Sequence, residues 1–402
     1  MSGTETRPTL RSPVSGMPLA PDGPHALCEP DGRRWPVVDG IAFLRTGRDP
    51  LVGEALACLD AGDRTGALMA LLADQDDWWT GPMPAPSDLA RLVEQADRLT
   101  LRDAMGLLAF GRVGDYFAHR WSDPTYLAGL ALIEAHRGPM TTSFELACGI
   151  GHYGRELLRR GTAYAGADVV FAKLWLARHW VVGPDADLVC FDAASPWPVA
   201  DRSFDLVLCQ DAFYFLEPKA EILSRMRSML TPHGWLAVGH VHNRGAENHS
   251  AGRGVTAVEL ARFFPDGIVY DDAELTRALI EARPPVPWVP DALRNVEAFA
   301  IAAGPGLRRE PQRVAAGHAM PVAGATLRPN PLYGGPADPH AEPSRCGTSA
   351  DVAWEIRFPS DRYAAEYGHL ATYPNHFVPP ADPAAHADAV RCRALVDLPE
   401  RW

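Results

Sequence analysis

Apolar residues recur along this chain with two different periods, and the change of period divides it. From about 50 to 137 they return every three or four positions. Leu51, Ala55, Leu56 and Leu59 form one such set, and Ala67, Leu68, Leu71 and Leu72 another. That spacing places them on one face of a helix. Asp88 opens a further helical stretch through Leu89, Leu92 and Val93, and one more runs from Tyr126 through Leu130 and Ile133. From about Met140 to Gly304, short apolar runs alternate with helical stretches, the signature of a parallel sheet covered on both faces. Strands are predicted at Ser143–Leu146, Ala163–Ala167, Leu188–Phe191, Phe204–Leu208, Trp235–Val241 and Val296–Ala302. Helices fit between them at Tyr153–Arg160, Phe171–His179 and Ala220–Met229. Thr231-Pro232-His233-Gly234 stops the last helix and opens the next strand. The expected class is α/β, with a doubly wound, mostly parallel sheet.

The two ends have a different texture. Residues 1–48 are rich in Pro, Gly and Asp, with short extended pieces at Trp35–Val38 and Ile41–Leu44. After Gly304 periodicity fades, and prolines crowd the stretch from Pro284 to Pro343, as a linker or an irregular wrapping segment requires. Val352–Phe377 regains aromatic residues. The organisation expected is a small β segment at 1–48, a helical region at 49–137, the sheet domain at 138–304, and a Pro-rich linker with a C-terminal extension at 305–402.

Composition narrows the function classes. The chain has 402 residues, 47% of them hydrophobic, enough for a sizeable core. Its apolar runs are broken well short of the ~18 residues of a membrane helix, and the N-terminus has no apolar leader. A soluble, cytoplasmic protein is expected, with no membrane partner. Fifty acidic residues against 38 basic ones give a net charge of −12, which argues against tight, non-specific nucleic-acid binding. Seven scattered cysteines with no CxxC pair indicate thiols in a reducing compartment, not a disulfide framework.

Chemistry concentrates in Phe144-Glu145-Leu146-Ala147-Cys148-Gly149-Ile150-Gly151-His152-Tyr153-Gly154, which follows an apolar strand and opens a helix. Glycines there let the backbone approach a ligand and present N–H groups at the helix start. Gly149, Gly151 and Gly154 also satisfy the dinucleotide pattern GxGxxG. Glu145 discriminates: at a strand end it would repel a pyrophosphate, whereas it complements the ammonium of S-adenosylmethionine. Asp168, at the end of the second strand, suits a ribose diol. Asp192, after the third, suits an adenine amino group, with the Ala193 N–H facing the ring. Three acids at the carboxyl ends of successive strands converge on one crevice in a doubly wound sheet.

These residues resemble the class I S-adenosylmethionine-dependent methyltransferases. Glu145 to Gly154 matches their first motif, with Ala147 where a Gly is usual. Asp201-Arg202-Ser203-Phe204-Asp205 is similar to the run into their fourth strand, and Leu208 to Leu216 to the segment lining the transfer cleft. Met229-Leu230-Thr231-Pro232-His233-Gly234 is similar to the lead into their fifth strand, with His233 in place of a Gly. The resemblance implies a Rossmann-like domain, S-adenosyl-L-methionine as cofactor, and cofactor contacts at Glu145, Ala147, Cys148, Gly149, Gly151, Asp168, Val169, Asp192, Ala193 and Gln210. It implies in-line methyl transfer to a small molecule, a sugar or natural-product intermediate. Ser12, Ser15, Cys28 and Asp31 stand where a zinc-ribbon-like unit would carry four cysteines, so no metal is expected.

Methyl transfer from a sulfonium asks chiefly for alignment and exclusion of water. A base is needed only when the acceptor must lose a proton. The catalytic candidates are His240 and His242, which alternate to one face at the end of the fifth strand with His249 close by, and Asp211 and Tyr214. The histidine pair also reads as a metal ligand set or as plain hydrogen bonding. His152 is expected to close over the cofactor. Trp78-Trp79 and Tyr116-Phe117 with His119, Arg120 and Trp121 form either a lid or acceptor wall, or ordinary core between helices. Two rival readings remain: an NAD-dependent oxidoreductase, and a catalytically silent scaffold.

Overall fold

The computed structural model describes residues 10–246, 252–289, 295–314, 321–322, 325, 327–330, 387, 390 and 395–402. Four short strands open the chain: β1 (Ala20–Pro21), β2 (Ala26–Cys28), β3 (Arg34–Val38) and β4 (Ile41–Phe43). Six helices follow: α1 (Asp49–Asp60), α2 (Arg64–Ala73), α3 (Pro86–Gln95), α4 (Leu101–Leu107), α5 (Arg112–His119) and α6 (Pro124–Ala135). The alternating part then runs β5 (Thr142–Leu146), α7 (His152–Arg159), β6 (Ala163–Asp168), α8 (Phe171–Leu176) and β7 (Asp187–Cys190). It continues through β8 (Phe204–Gln210), α9 (Lys219–Ser228) and β9 (Leu230–His242). Next come α10 (Ala257–Phe263), β10 (Ile268–Asp271), α11 (Asp272–Ile280) and β11 (Ala298–Ala303). A separate two-stranded ribbon joins β12 (Leu327–Pro329) to β13 (Leu395–Asp397).

All strands from β1 to β11 share one sheet, in the order β1-β2-β3-β4-β7-β6-β5-β8-β9-β11-β10. The middle, from β4 to β9, is parallel; both flanks are antiparallel. This is the Rossmann-like, mostly parallel sheet expected. The chain winds outward from β5 through β6 to β7, then returns to place β8 on the other side of β5. The strand order reverses there, which opens a crevice at the carboxyl ends of the strands. Alternate side chains feed the two faces of the sheet: Leu206 and Leu208 join the core on one side, Val207 and Cys209 the core on the other. On the first side α6 is apolar around its whole circumference and buried throughout.

Local periodicity did not foretell that the N-terminal strands extend this same sheet. Ile41, Ala42 and Phe43 pair in parallel with Leu188, Val189 and Cys190, a contact that short-range pattern cannot announce. The Asp39-Gly40 turn between β3 and β4, both residues at positive φ, is pinned onto the α8 side. Asp39 accepts from the Trp175 indole at 2.8 Å and from His179 at 2.9 Å. At positions 12 and 15 the hydroxyls of Ser12 and Ser15 both donate to the Glu29 carboxylate, at 2.7 and 2.5 Å, and the Trp35 indole donates at 3.0 Å. The β10–α11 segment also escaped the sequence reading, because its four-residue strand is too short to show alternation.

His249, the aromatic block Val352–Phe377 and most of the 305–402 extension, including Cys346 and Cys392, lie outside the described residues. Among the described residues no helix is long and apolar enough to cross a membrane.

Candidate functional site

The crevice above β5, β6, β7 and β8 is a cavity of about 790 Å³. Its floor is made of strand ends. Ala147, just past β5, sits at φ 55°. An Ala in this left-handed region is strained, and Gly is the usual occupant. Gly149 at φ 57° and Gly151 at φ 81° complete the loop into α7. A Cβ on Gly151 would lie 2.7 Å from the Val182 side chain, so neither conformation nor space admits a larger residue. Asp211 (φ 54°), after β8, and His240 (φ 49°), within β9, are likewise left-handed. Backbone strain of this kind persists where surrounding structure holds a functional geometry in place.

Glu145, Asp168 and Asp192 all line this one cavity, with Ala147, Cys148, Gly149, Val169, Ala193 and Gln210. Their states differ. Glu145 is 2% exposed and, among the described residues, receives a single side-chain donor, the Tyr164 phenol at 2.6 Å. Burial pushes its carboxyl up to about 8, with Tyr164 and Arg120 offsetting only part of that. Asp168 accepts the Gly149 N–H on one oxygen and the Val170 N–H on the other, both at 3.0 Å, and Lys173 stands 3.5 Å away. It therefore also shapes the glycine loop. Asp192 accepts the Ala194 N–H at 2.9 Å in a local turn. The Ala193 carbonyl is held by the Trp197 indole at 2.9 Å. Gln210 donates to the Ala237 carbonyl at 3.0 Å, and only the missing side chain of Gly239 leaves it room.

At the other end of the cavity, Asp211 is the centre of a buried charge network. The Tyr116 and Tyr214 phenols each donate to it at 2.7 Å, and the Arg120 guanidinium lies 3.1 Å away. Burial raises the Asp211 carboxyl, but Arg120, His240 and the two phenols outweigh it and hold the group below its ordinary range. His240 and His242 are absent from the cavity lining; they sit behind Asp211. His240 faces Asp211 at 3.9 Å through Nε2 and donates through Nδ1 to Asp272 at 2.8 Å. Burial lowers its affinity for a proton, while Asp211 and Asp272 raise it further, to about 9. The two carboxylates thus favour the imidazolium of His240 over the neutral, proton-accepting form. His242 stacks on the Tyr214 ring at 3.9 Å.

His152 lines the cavity at the start of α7, with its ring buried. Its Nε2–H donates to the Phe117 carbonyl at 3.0 Å, its ring packs 4.3 Å from Trp121, and burial lowers its pKa to about 3. The aromatic pairs divide between the two readings. Trp121 is core, whereas Trp78, at 53% exposure, Trp79, Tyr116, at 40%, and Phe117 line the cavity. Sequence reasoning offered Tyr116 and Arg120 only as acceptor wall or core, and missed Lys173 and Asp272 altogether. The signal for Arg120 was a lone basic residue in an aromatic run; only the fold turns it onto the strand ends.

Comparison with known proteins agrees with this geometry. Residues 144–238 match a family model described as a methyltransferase domain. No curated protein matches the chain. Similar solved structures include a TehB-like S-adenosylmethionine-dependent methyltransferase from Corynebacterium glutamicum, 19% identical, with 47% of this chain and 95% of that one covered and a TM-score of 0.34. An S-adenosylmethionine-dependent methyltransferase from Thermotoga maritima is 18% identical, with 50% and 97% covered and a TM-score of 0.35. Phosphoethanolamine N-methyltransferase 2 of Haemonchus contortus, solved with S-adenosylmethionine, is 17% identical, with 43% and 46% covered and a TM-score of 0.34. With its reversed strand order and glycine loop, and with the family match spanning both, residues 144–238 form a methyltransferase domain on a Rossmann-like sheet.

Proposed function

We propose that this protein transfers a methyl group from S-adenosyl-L-methionine to a small organic acceptor held in the aromatic end of the cavity. One observation carries the reading: a buried carboxylate with a single side-chain donor, Glu145, lies in the same cavity as Asp168 and Asp192. A lone buried acid that retains its proton to about 8 is a site built for a cation. Glu145 would take the cofactor's ammonium, and Arg120, whose Coulombic effect reaches Glu145, would take its carboxylate. Asp168 would accept from the ribose and Asp192 from the adenine amino group, as the strand ends dictate. The cofactor supplies a methyl group already activated on a sulfonium.

The protein's own part is alignment and exclusion of water. Asp211 is saturated by Arg120 and two phenols, and His240 already carries its proton, so neither withdraws one from an acceptor. Instead the network fixes the Tyr116 and Tyr214 hydroxyls at the acceptor end, and both histidines support it from behind. Asp211, His240 and His242 bring ligand atoms within 4.8 Å of one another. Arg120 already balances Asp211 at 3.1 Å and Asp272 takes the His240 Nδ1–H, so this cluster reads as a charge network.

Calorimetry with S-adenosylhomocysteine and with NAD tests the reading. S-adenosylhomocysteine should bind and NAD should not. Asp168→Ala should weaken S-adenosylhomocysteine by about 1–3 kcal/mol. Binding of NAD in its place would favour the oxidoreductase, and binding of neither the silent scaffold.

A further inference from the structure

The mouth of the cavity has a chemistry that the cofactor does not use. Three of the four Lys and Arg residues lining the cavity have matched acids. Arg45 meets Asp74 at 2.6 Å, Arg120 meets Asp211 at 3.1 Å, and Lys173 meets Asp168 at 3.5 Å and Asp76 at 3.6 Å. Arg253 is the exception: it lines the cavity and makes no ion pair among the described residues. Glu217, the acid on the same rim, is already matched by Lys219 at 2.8 Å. Asp211 is balanced by Arg120, His240 by Asp272, and Asp77, next to Trp78, meets Arg48 at 3.4 Å. The acceptor end therefore carries one surplus positive charge.

Arg253 is also well placed. Its backbone N–H donates to the Tyr214 carbonyl at 2.7 Å, and the neighbouring Gly252 presses on the Tyr214 ring so closely that a Cβ would sit 2.4 Å from it. The rings beside it form a stepped apolar wall: Tyr214 and Phe215 at 4.5 Å between centroids, then Phe215 and Trp78 at 5.7 Å. Trp78 is 53% exposed and lines the cavity, so its ring offers a flat apolar face to a molecule held there. Flat rings bind flat molecules, and an unmatched guanidinium at their edge binds an anion.

We propose that the methyl acceptor is a planar, aromatic-sized molecule bearing a carboxylate, with its ring against Trp78 and Phe215 and its carboxylate on Arg253. This rests on the methyltransferase reading for the location of the cofactor at the Glu145 end. The remainder of a 790 Å³ cavity suits a small acceptor of this kind.

The test uses the full chain saturated with S-adenosylhomocysteine and three probes of one shape: 2-naphthoate, 2-naphthalenemethanol and 2-naphthylmethylammonium. Isothermal calorimetry should show 2-naphthoate binding on the order of fivefold tighter than the alcohol, and more so than the ammonium. Arg253→Gln should erase that preference without changing S-adenosylhomocysteine affinity. Trp78→Ala should weaken all three probes by a similar factor. Equal binding of the three probes, no binding of any, or a carboxylate preference that survives Arg253→Gln overturns the proposal. Failure of S-adenosylhomocysteine itself to bind counts against the methyltransferase reading instead, so the two failures are told apart.

Discussion

Glu29 and Glu145 are both buried carboxylates, 3% and 2% exposed, yet they sit in opposite electrostatic situations. Glu29, in the N-terminal strands, receives two serine hydroxyls and an indole N–H. Burial raises its pKa, but these donors and Arg33 outweigh that and hold it below its ordinary range. Glu145, in the cavity, receives one phenol, and burial wins. The number of donors decides the outcome. A buried acid that is fully hydrogen-bonded is a structural node complete in itself. A buried acid left one cation short has its partner still to come.

Mutation should separate the two most sharply. Glu29→Ala leaves the Ser12 and Ser15 hydroxyls and the Trp35 N–H without an acceptor, and should cost about 3 kcal/mol in denaturant unfolding, with S-adenosylhomocysteine affinity unchanged. Glu145→Gln should do the reverse. It should weaken S-adenosylhomocysteine by about 1–3 kcal/mol while leaving stability at pH 7 no lower than the parent's. Equal loss of stability in both variants would erase the distinction.

The pH dependence sharpens it further. Glu145 holds its proton to about 8 when folded, against an ordinary 4.5, so the folded chain binds more protons and stability falls as pH rises from 4.5 to 8. His240, raised from 6.5 to about 9, contributes stability that is full below 6.5 and lost as pH rises through 9. Glu29 runs the other way: its contribution is present above 4.5 and is lost as pH falls through its depressed pKa. The melting temperature should therefore decline between pH 6.5 and 9, and Glu145→Gln should flatten the lower part of that decline. At pH 7, S-adenosylhomocysteine binding should release up to one proton, seen as a binding enthalpy that differs between phosphate and Tris buffers. A buffer-independent enthalpy would mean that Glu145 is already ionised. The smallest effect is expected at Ala147→Gly, where relief of the φ 55° strain should add about 0.5 kcal/mol against the extra flexibility of glycine.

The central strands were legible because each is a short apolar run bounded by turn residues. The glycine loop was legible because glycines at fixed offsets after a strand have few other uses. Asp168 was found from its place at a strand end, but its bonds to the Gly149 and Val170 N–H groups were not, since a side chain's partners depend on backbone positions far away. His240 shows the limit most clearly. Its sequence neighbourhood suggested a neutral base, whereas Asp272, brought over from α11, helps turn it into a cation.

The sequence by itself determined the order of the central strands and helices and the acids at the strand ends, because periodicity and local spacing encode them. Tertiary structure alone decided which charges meet. It carried Arg120 and Tyr116 from the helical region onto Asp211, laid β4 beside β7, and left Glu145 with one donor where Glu29 has three. Electrostatic state depends on distance and burial, and neither is a property of neighbours along the chain.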